Sequence, residues 1–266
     1  MDPARRKEPS DAALEAATSL LRDARRVVAL TGAGVSTGAG IPDFRGPEGL
    51  WTRDPAAERL STLRTYLGDA EVGRRAWQGR LRSPVWAATP TAGHLALVAL
   101  ERQGRLDLLV TQNTDGLHQL AGNDPERVVE IHGTMREVIC MRCGDRGPAA
   151  PTLERVAGGD EDPVCLTCGG ILKSATISFG QSLVASDLAR AESAARQADL
   201  LLAAGSSLRV HPAAGLVPLA RSHGARVVIV NAEPTCFDEM ADAVVHGSTT
   251  AVLPAVVDGA RALRPS

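Results

Sequence analysis

Four stretches of this 266-residue chain have residue types and spacing suited to chemistry. The first is Gly32-x-Gly34-x-x-x-Gly38, directly after an apolar run at 27–30. Glycine permits positive φ and close approach of backbone to a ligand. A Gly-rich turn after a strand can aim free N–H groups at a phosphate. The spacing is one residue longer than the usual dinucleotide fingerprint, so by itself it fits a plain tight turn as well. The second is Gly40-Ile41-Pro42-Asp43-Phe44-Arg45, a carboxylate, a ring and a guanidinium in a row. Pro42 disfavours a helix through Ile41. Such a loop can hold a charged heterocycle, or it can be a solvated loop anchored by Phe44. The tail Gly46-Pro47-Glu48-Gly49-Leu50-Trp51 fits a mobile lid.

The third stretch, Thr111-Gln112-Asn113-Thr114-Asp115-Gly116-Leu117-His118, opens from an apolar strand at 106–110. Polar residues at the carboxyl end of a buried strand are where open α/β sheets bind ligands. Gln112, Asn113 and Asp115 suit a ribose and a carboxamide; Asn113 or Asp115 can equally cap a helix beginning near Leu117. The fourth is Glu130-x-His132-Gly133. An imidazole at a strand end is placed to act as a base near neutral pH. His94 and His118 read instead as packing or capping residues.

Two cysteine pairs, Cys140-x-x-Cys143 and Cys165-x-x-Cys168, stand twenty-one residues apart. This is close to the usual spacing of four-Cys zinc ribbons. Four thiolates close the coordination sphere, so the metal is structural. The intervening segment is rich in Gly, Pro, Asp and Glu, and is expected to lack a core of its own, so that the metal holds it together. Cys236 is left over and is expected to be a small buried side chain.

The elements that must position these groups alternate. Ser10 or Asp11 can cap a helix with Leu14, Ala17, Leu20 and Leu21 on one face. Strands are expected at 27–30, 106–110, 128–131, 199–204, 225–230 and 243–245. Helices are expected at 91–100, 183–197, 212–222 and 251–263, with short ones within 52–83. Alternation of this kind argues a parallel sheet wound on both sides. Gly205-Ser206-Ser207 and Asn231-Ala232-Glu233 also fall at strand ends, where Asn231 and Glu233 can bond ribose hydroxyls.

The composition, 44% apolar with a net charge of −2, fits one large domain and offers neither a nucleic-acid surface nor a polybasic membrane patch. No secretory signal pattern or membrane-length apolar run is evident, which points to the cytoplasm.

Together, Gly-Ala-Gly-x-Ser through Gly-Ile-Pro-Asp-Phe-Arg, then Thr-Gln-Asn-x-Asp-x-Leu-His and Glu130-x-His132-Gly133, resemble the sirtuins, NAD-dependent protein-lysine deacylases. The resemblance covers most of the chain. It implies an α/β fold, a Rossmann-like part (10–45, 88–138 and 173–266) joined by a helical insertion (46–87) and a zinc module (139–172). It implies that Gly32, Ala33, Gly34, Ser36, Ile41, Asp43, Phe44, Arg45, Trp51, Gln112, Asn113, Asp115, His132, Gly205, Ser206, Ser207, Asn231 and Glu233 contact NAD. Within that set, Asn113 would order the ribose and a water, and His132 would be the general base on a ribose hydroxyl. Ile177, Phe179 and Gly180 match the loop that pairs with an acyl-lysine peptide as an added strand, whereas Ser174, Ala175, Ser178 and Gln181 depart from the family pattern. Cys140, Cys143, Cys165 and Cys168 would hold zinc. Products would be nicotinamide, free lysine and O-acyl-ADP-ribose, with ADP-ribosyl transfer or NAD hydrolysis as the alternative. Succinyl-preferring relatives use Tyr-x-x-Arg in the insertion; here Trp77-x-x-Arg80 and a separate Tyr66 favour apolar acyl groups, acetyl or longer.

Overall fold

A computed structural model describes residues 9–44, 46, 49–53 and 61–261. Arg45 lies outside the described residues, as does the side chain of Trp51. Six strands form one parallel sheet: β1 (Val27–Thr31), β2 (Leu106–Thr111), β3 (Val128–Glu130), β7 (Leu200–Ala204), β8 (Arg226–Asn231) and β9 (Ala243–His246). Their order is β3-β2-β1-β7-β8-β9. The strands are short apolar runs buried on both faces, as a parallel sheet requires. Along β1 the side chains alternate: Val27 and Ala29 join the core under helices Asp11–Asp23, Ala92–Arg102 and Thr249–Arg261, while Val28 and Leu30 join the core under Ala185–Gln197 and Leu216–Ser222.

The first helix starts where Ser10 accepts from the N–H of Ala13. The Ala92–Arg102 helix starts with a capping box of Thr91 and His94, as expected of a capping histidine.

A second, smaller sheet differs from expectation. Strands β4 (Gly133–Cys140), β5 (Arg146–Pro148) and β6 (Leu172–Thr176) pair antiparallel in the order β5-β4-β6. The strand expected at 128–131 ends at Glu130, and Gly133 already opens β4. The segment between the cysteine pairs does share a core. Its helix Ala149–Ala157 buries Ala149 and Val156 against Val138, Leu172 and Trp77, the last contributed by the helical insertion. A core shared across chain-distant pieces leaves no local apolar run to read. Cys236, expected to be buried, is exposed on the turn after β8, and its thiol donates to the carbonyl of Leu208 at 3.3 Å. No helix among the described residues is long and apolar enough to cross a membrane.

Candidate active site at the strand ends

The strand order reverses direction between β1 and β7, so the chain leaves the two strands to opposite sides and opens a crevice beyond their carboxyl ends. The turns after these strands are laced together. Gly32 N–H donates to Ala204 O at 3.0 Å, and Gly34 N–H donates to Gly205 O at 2.8 Å. A Cβ on Gly34 would lie 2.8 Å from Gly205 Cα, and Gly205 itself has φ of +65°, so only glycine serves at this crossing.

Behind the turn lies a buried polar network. Ser36 Oγ donates to Asp115 Oδ2 at 2.7 Å and accepts from Asn113 Nδ2 at 3.1 Å. Asn113 Nδ2 also reaches Gly32 O at 3.1 Å. The other oxygen of Asp115 accepts from Leu117 N–H at 2.9 Å, so Asp115 caps the Leu117–Ala121 helix while it holds Ser36. Gln112 bridges the strands: its backbone N–H donates to Thr31 O at 2.9 Å, and its Nε2 donates to Ser206 Oγ at 2.8 Å. Residues more than ninety positions apart thereby meet on one edge of the crevice.

His132 is half-buried between β3 and β4. Its Nδ1 lies 3.1 Å from Gln112 O. A carbonyl only accepts, so Nδ1 carries the proton and Nε2 is left with the lone pair a base needs. Burial lowers its pKa below the ordinary 6.5, and the Gln112 carbonyl offsets part of that. The ring is therefore neutral at pH 7.

Beside His132 runs the segment after β6. Ile177 N–H donates to His132 O at 2.7 Å, and Phe179 pairs with Ser61 and Leu63 of the insertion at 3.1 and 2.9 Å. Phe44 and Phe179 are respectively 43% and 37% exposed. Asp43 accepts from Gly46 N–H at 2.8 Å through its side chain and from Leu50 N–H at 2.8 Å through its carbonyl, so it shapes its own loop; Ile41 beside it is half-buried. Asn231 Nδ2 donates to Glu233 O at 2.7 Å, a turn that leaves the Glu233 side chain exposed at the end of β8. Ser207 is half-buried.

Two supporting residues, Arg136 and Thr249, carry no mark in the sequence. Arg136 of β4 donates from Nε to Asp115 O at 2.9 Å, and Thr249 Oγ1 donates to Gly34 O at 2.8 Å. His118, placed as packing, also pairs through Nε2 with Thr31 Oγ1 at 2.9 Å. Each acts across the fold, and nothing in the spacing of Arg136 or Thr249 marks it.

The four cysteine sulfurs all lie within 4.8 Å of one another, with Cys140 and Cys168 at 3.5 Å and Cys143 and Cys165 at 3.8 Å. Tetrahedral zinc with bonds of about 2.3 Å sets its sulfurs about 3.8 Å apart. The set fits zinc and leaves no open position.

A parallel sheet with a polar crevice at its switch point, carrying a second lobe with a four-thiolate cluster, is a nucleotide-binding α/β protein with a metal ribbon. The Sir2 family profile matches residues 32–212. The chain belongs to the Sir2 family. It is 50% identical over 233 residues to NAD-dependent protein deacetylase 2 of Streptomyces coelicolor, covering 88% of this chain and 97% of that one. It is 42% identical over 261 residues to the NAD-dependent protein deacetylase of Haloarcula marismortui, covering 92% and 94%. A solved Sir2 enzyme superposes with a TM-score of 0.87 at 35% identity, covering 96% of this chain and all of that one. A Sir2 structure with a deacetylated p53 peptide and 3'-O-acetyl-ADP-ribose superposes at 0.84 with 30% identity, covering 92% and 97%.

Proposed function

We propose that the protein is an NAD-dependent protein-lysine deacylase, a deacetylase first of all, that yields nicotinamide, O-acyl-ADP-ribose and free lysine. The observation that carries this reading is His132, its Nδ1 tied to Gln112 O and its Nε2 free to accept, at the mouth of the crevice. NAD would supply an electrophilic ribose carbon with nicotinamide as the leaving group.

The chain's own residues then divide the work. Backbone at Gly32, Ala33 and Gly34, with Ser36, Gly205, Ser206 and Ser207, would line the pyrophosphate and the nearer ribose; Asn231 and Glu233 would bond the far ribose. Asp115 and the backbone at Ile41 would meet the carboxamide. Asn113, with its amide fixed on Gly32 O and Ser36 Oγ, would order a ribose hydroxyl and a water. Phe44 would exclude water from the reacting face, and Asp43, Arg45 and Trp51 would organise that loop. His132 Nε2 would take the proton from a ribose hydroxyl. Positioning in a water-poor crevice would supply most of the rate. Ile177, Phe179 and Gly180 would seat the acyl-lysine peptide, and Cys140, Cys143, Cys165 and Cys168 would hold zinc as a staple.

Apolar acyl groups suit the insertion. The Arg80 guanidinium lies over the Trp77 ring at 4.9 Å and the Tyr66 ring at 5.4 Å, contacts that hold it against the insertion's own rings. The near-zero net charge supports protein or peptide partners in the cytoplasm over nucleic acid.

Mass spectrometry of an acetyl-lysine peptide incubated with the protein and NAD, beside His132→Ala, tests the reading. Deacetylation that needs NAD and is lost in the variant is expected. Consumption of NAD with no acyl peptide deacylated would replace it with ADP-ribosyl transfer or NAD hydrolysis.

A further inference from the structure

One peptide group is held from both sides at the point where the small sheet meets the proposed base. β6 is an edge strand. Just beyond it, the N–H of Ile177 points inward and donates to His132 O at 2.7 Å. The carbonyl of the same peptide group belongs to Thr176 and points outward, as a trans peptide requires. There it accepts from Lys173 Nζ, which also donates to Ser174 O at 3.1 Å. Lys173 and His132 thus grip opposite ends of one planar unit.

The grip has no slack. Gly133 has φ of +72°, and a Cβ there would strike Ala175 O, so the chain on either side of His132 and Thr176 crosses in contact. The His132 ring is tied in turn through Nδ1 to Gln112 O. A shift of the Thr176–Ile177 peptide is therefore passed to the imidazole and to the aim of Nε2.

Covering an outer carbonyl needs no charge. On the same edge Leu172 O accepts from the Tyr66 hydroxyl at 2.8 Å. An ammonium costs far more to bury than a hydroxyl. Lys173 is nonetheless fully buried, and its hydrogen-bond partners among the described residues are the two carbonyls alone. What a cation adds is strength. Charge-assisted bonds are tighter than neutral ones, and a polarised carbonyl makes the N–H of its own peptide group a better donor. We propose that Lys173 is a positioning residue for His132, its ammonium fixing and polarising the Thr176–Ile177 peptide whose N–H holds the base in place. This rests on the deacylase reading and deepens it.

The charge on Lys173 can be titrated. Burial, with the nearby charge of Arg80 from the insertion, lowers its pKa from 10.5 to about 8. Tyr66 on the same side has its pKa raised by burial and stays neutral there; Asp162 acts on Tyr66.

The test follows kcat for an acetyl-lysine peptide against pH, KM for NAD, and the NMR shift of the Ile177 amide, in the wild type, Lys173→Met and Lys173→Arg. In the wild type, kcat falls and the Ile177 amide proton moves upfield together as pH rises through about 8. In Lys173→Met, kcat is lower by on the order of tenfold, as small misplacements at a reacting centre are amplified in rate. KM for NAD stays put, and neither kcat nor the Ile177 shift titrates. Lys173→Arg restores most of kcat and also removes the titration, because a guanidinium stays charged. A wild-type kcat in Lys173→Met overturns the proposal, as does an equal loss in both variants or a wild-type Ile177 shift that stays flat through the alkaline range. If Lys173→Met does not fold, the Ile177 titration in the wild type, set beside Lys173→Arg, decides alone. If the wild type turns over no acyl-lysine peptide, the deacylase reading is what fails, and the Ile177 shifts still decide whether Lys173 governs that peptide group.

Discussion

The backbone N–H of Ile177 donates to the carbonyl of His132 at 2.7 Å. One bond thus joins the proposed base to the first residue of the proposed peptide seat, across forty-five positions of sequence that hold the metal cluster. Ile177→Pro removes the donor. We expect kcat/KM for an acyl peptide to fall by on the order of tenfold or more, since small misplacements at a reacting centre are amplified in rate. Ile177→Val, which keeps the N–H, should stay near wild type. Steady-state kinetics on the pair decides; equal losses in both would assign the effect to packing.

The protonation state of His132 fixes an acid limit. The proposed base would work as neutral imidazole, so activity should fall as pH drops through its pKa. Burial holds that pKa below the ordinary 6.5. The midpoint of the acid limb of kcat/KM is therefore expected below pH 6.5. A midpoint above 6.5 would show that burial does not depress His132 as the site's geometry requires.

Ser36 holds Asp115 and Asn113 at once, and it is fully buried. Ser36→Ala deprives Asp115 Oδ2 of its donor and leaves the Asn113 amide held by Gly32 O alone. Leaving such a group unpaired costs about 1–3 kcal/mol. Part of that should appear as a lower melting temperature and part as a raised KM for NAD, read by calorimetry and kinetics. A variant with wild-type values in both would remove this network from the site.

What could be read in the chain was local. The turn glycines, the Gln112 stretch, His132 and the cysteine pairs each carry their meaning within a few residues, and the alternation of apolar runs gives the parallel sheet. What could not be read depends on partners distant in sequence. Trp77 is buried against Leu172 and Val138, so the small lobe has a core that none of its own segments displays. Gln112 finds Ser206 and Arg136 finds Asp115 only after the strands are ordered. Cys236 lies outward, against the usual burial of a thiol, because the turn after β8 carries it there.

Zinc removal should reach the active site through β4. That strand ends on Cys140 and begins at Gly133, next to His132, while β6 leads from near Cys168 into Ile177. A strong chelator is expected to abolish deacylation and to raise amide exchange across 133–176, with the large sheet still protected. Metal release by colorimetry should run parallel to the loss. Retained activity in a metal-free protein would confine the cluster to a distant structural role.

Glu130 gives a stability prediction whose sign follows from its surroundings. Burial raises its pKa from 4.5 to about 7, aided by the charges of Asp115 and Glu137 and opposed by Thr134 and Arg146, and its Oε1 is buried without a partner. The folded state thus holds the proton more tightly than the unfolded chain. That contribution is complete below pH 4.5 and is lost as pH rises through about 7. Glu130→Gln removes the titration. Relative to wild type, the variant should gain stability progressively from pH 4.5 to 7 and level off above, by about 1–3 kcal/mol. Denaturant melts at pH 4.5, 6 and 8 check both direction and shape. A variant equally shifted at all three values would mean that packing, not the carboxyl proton, governs this position.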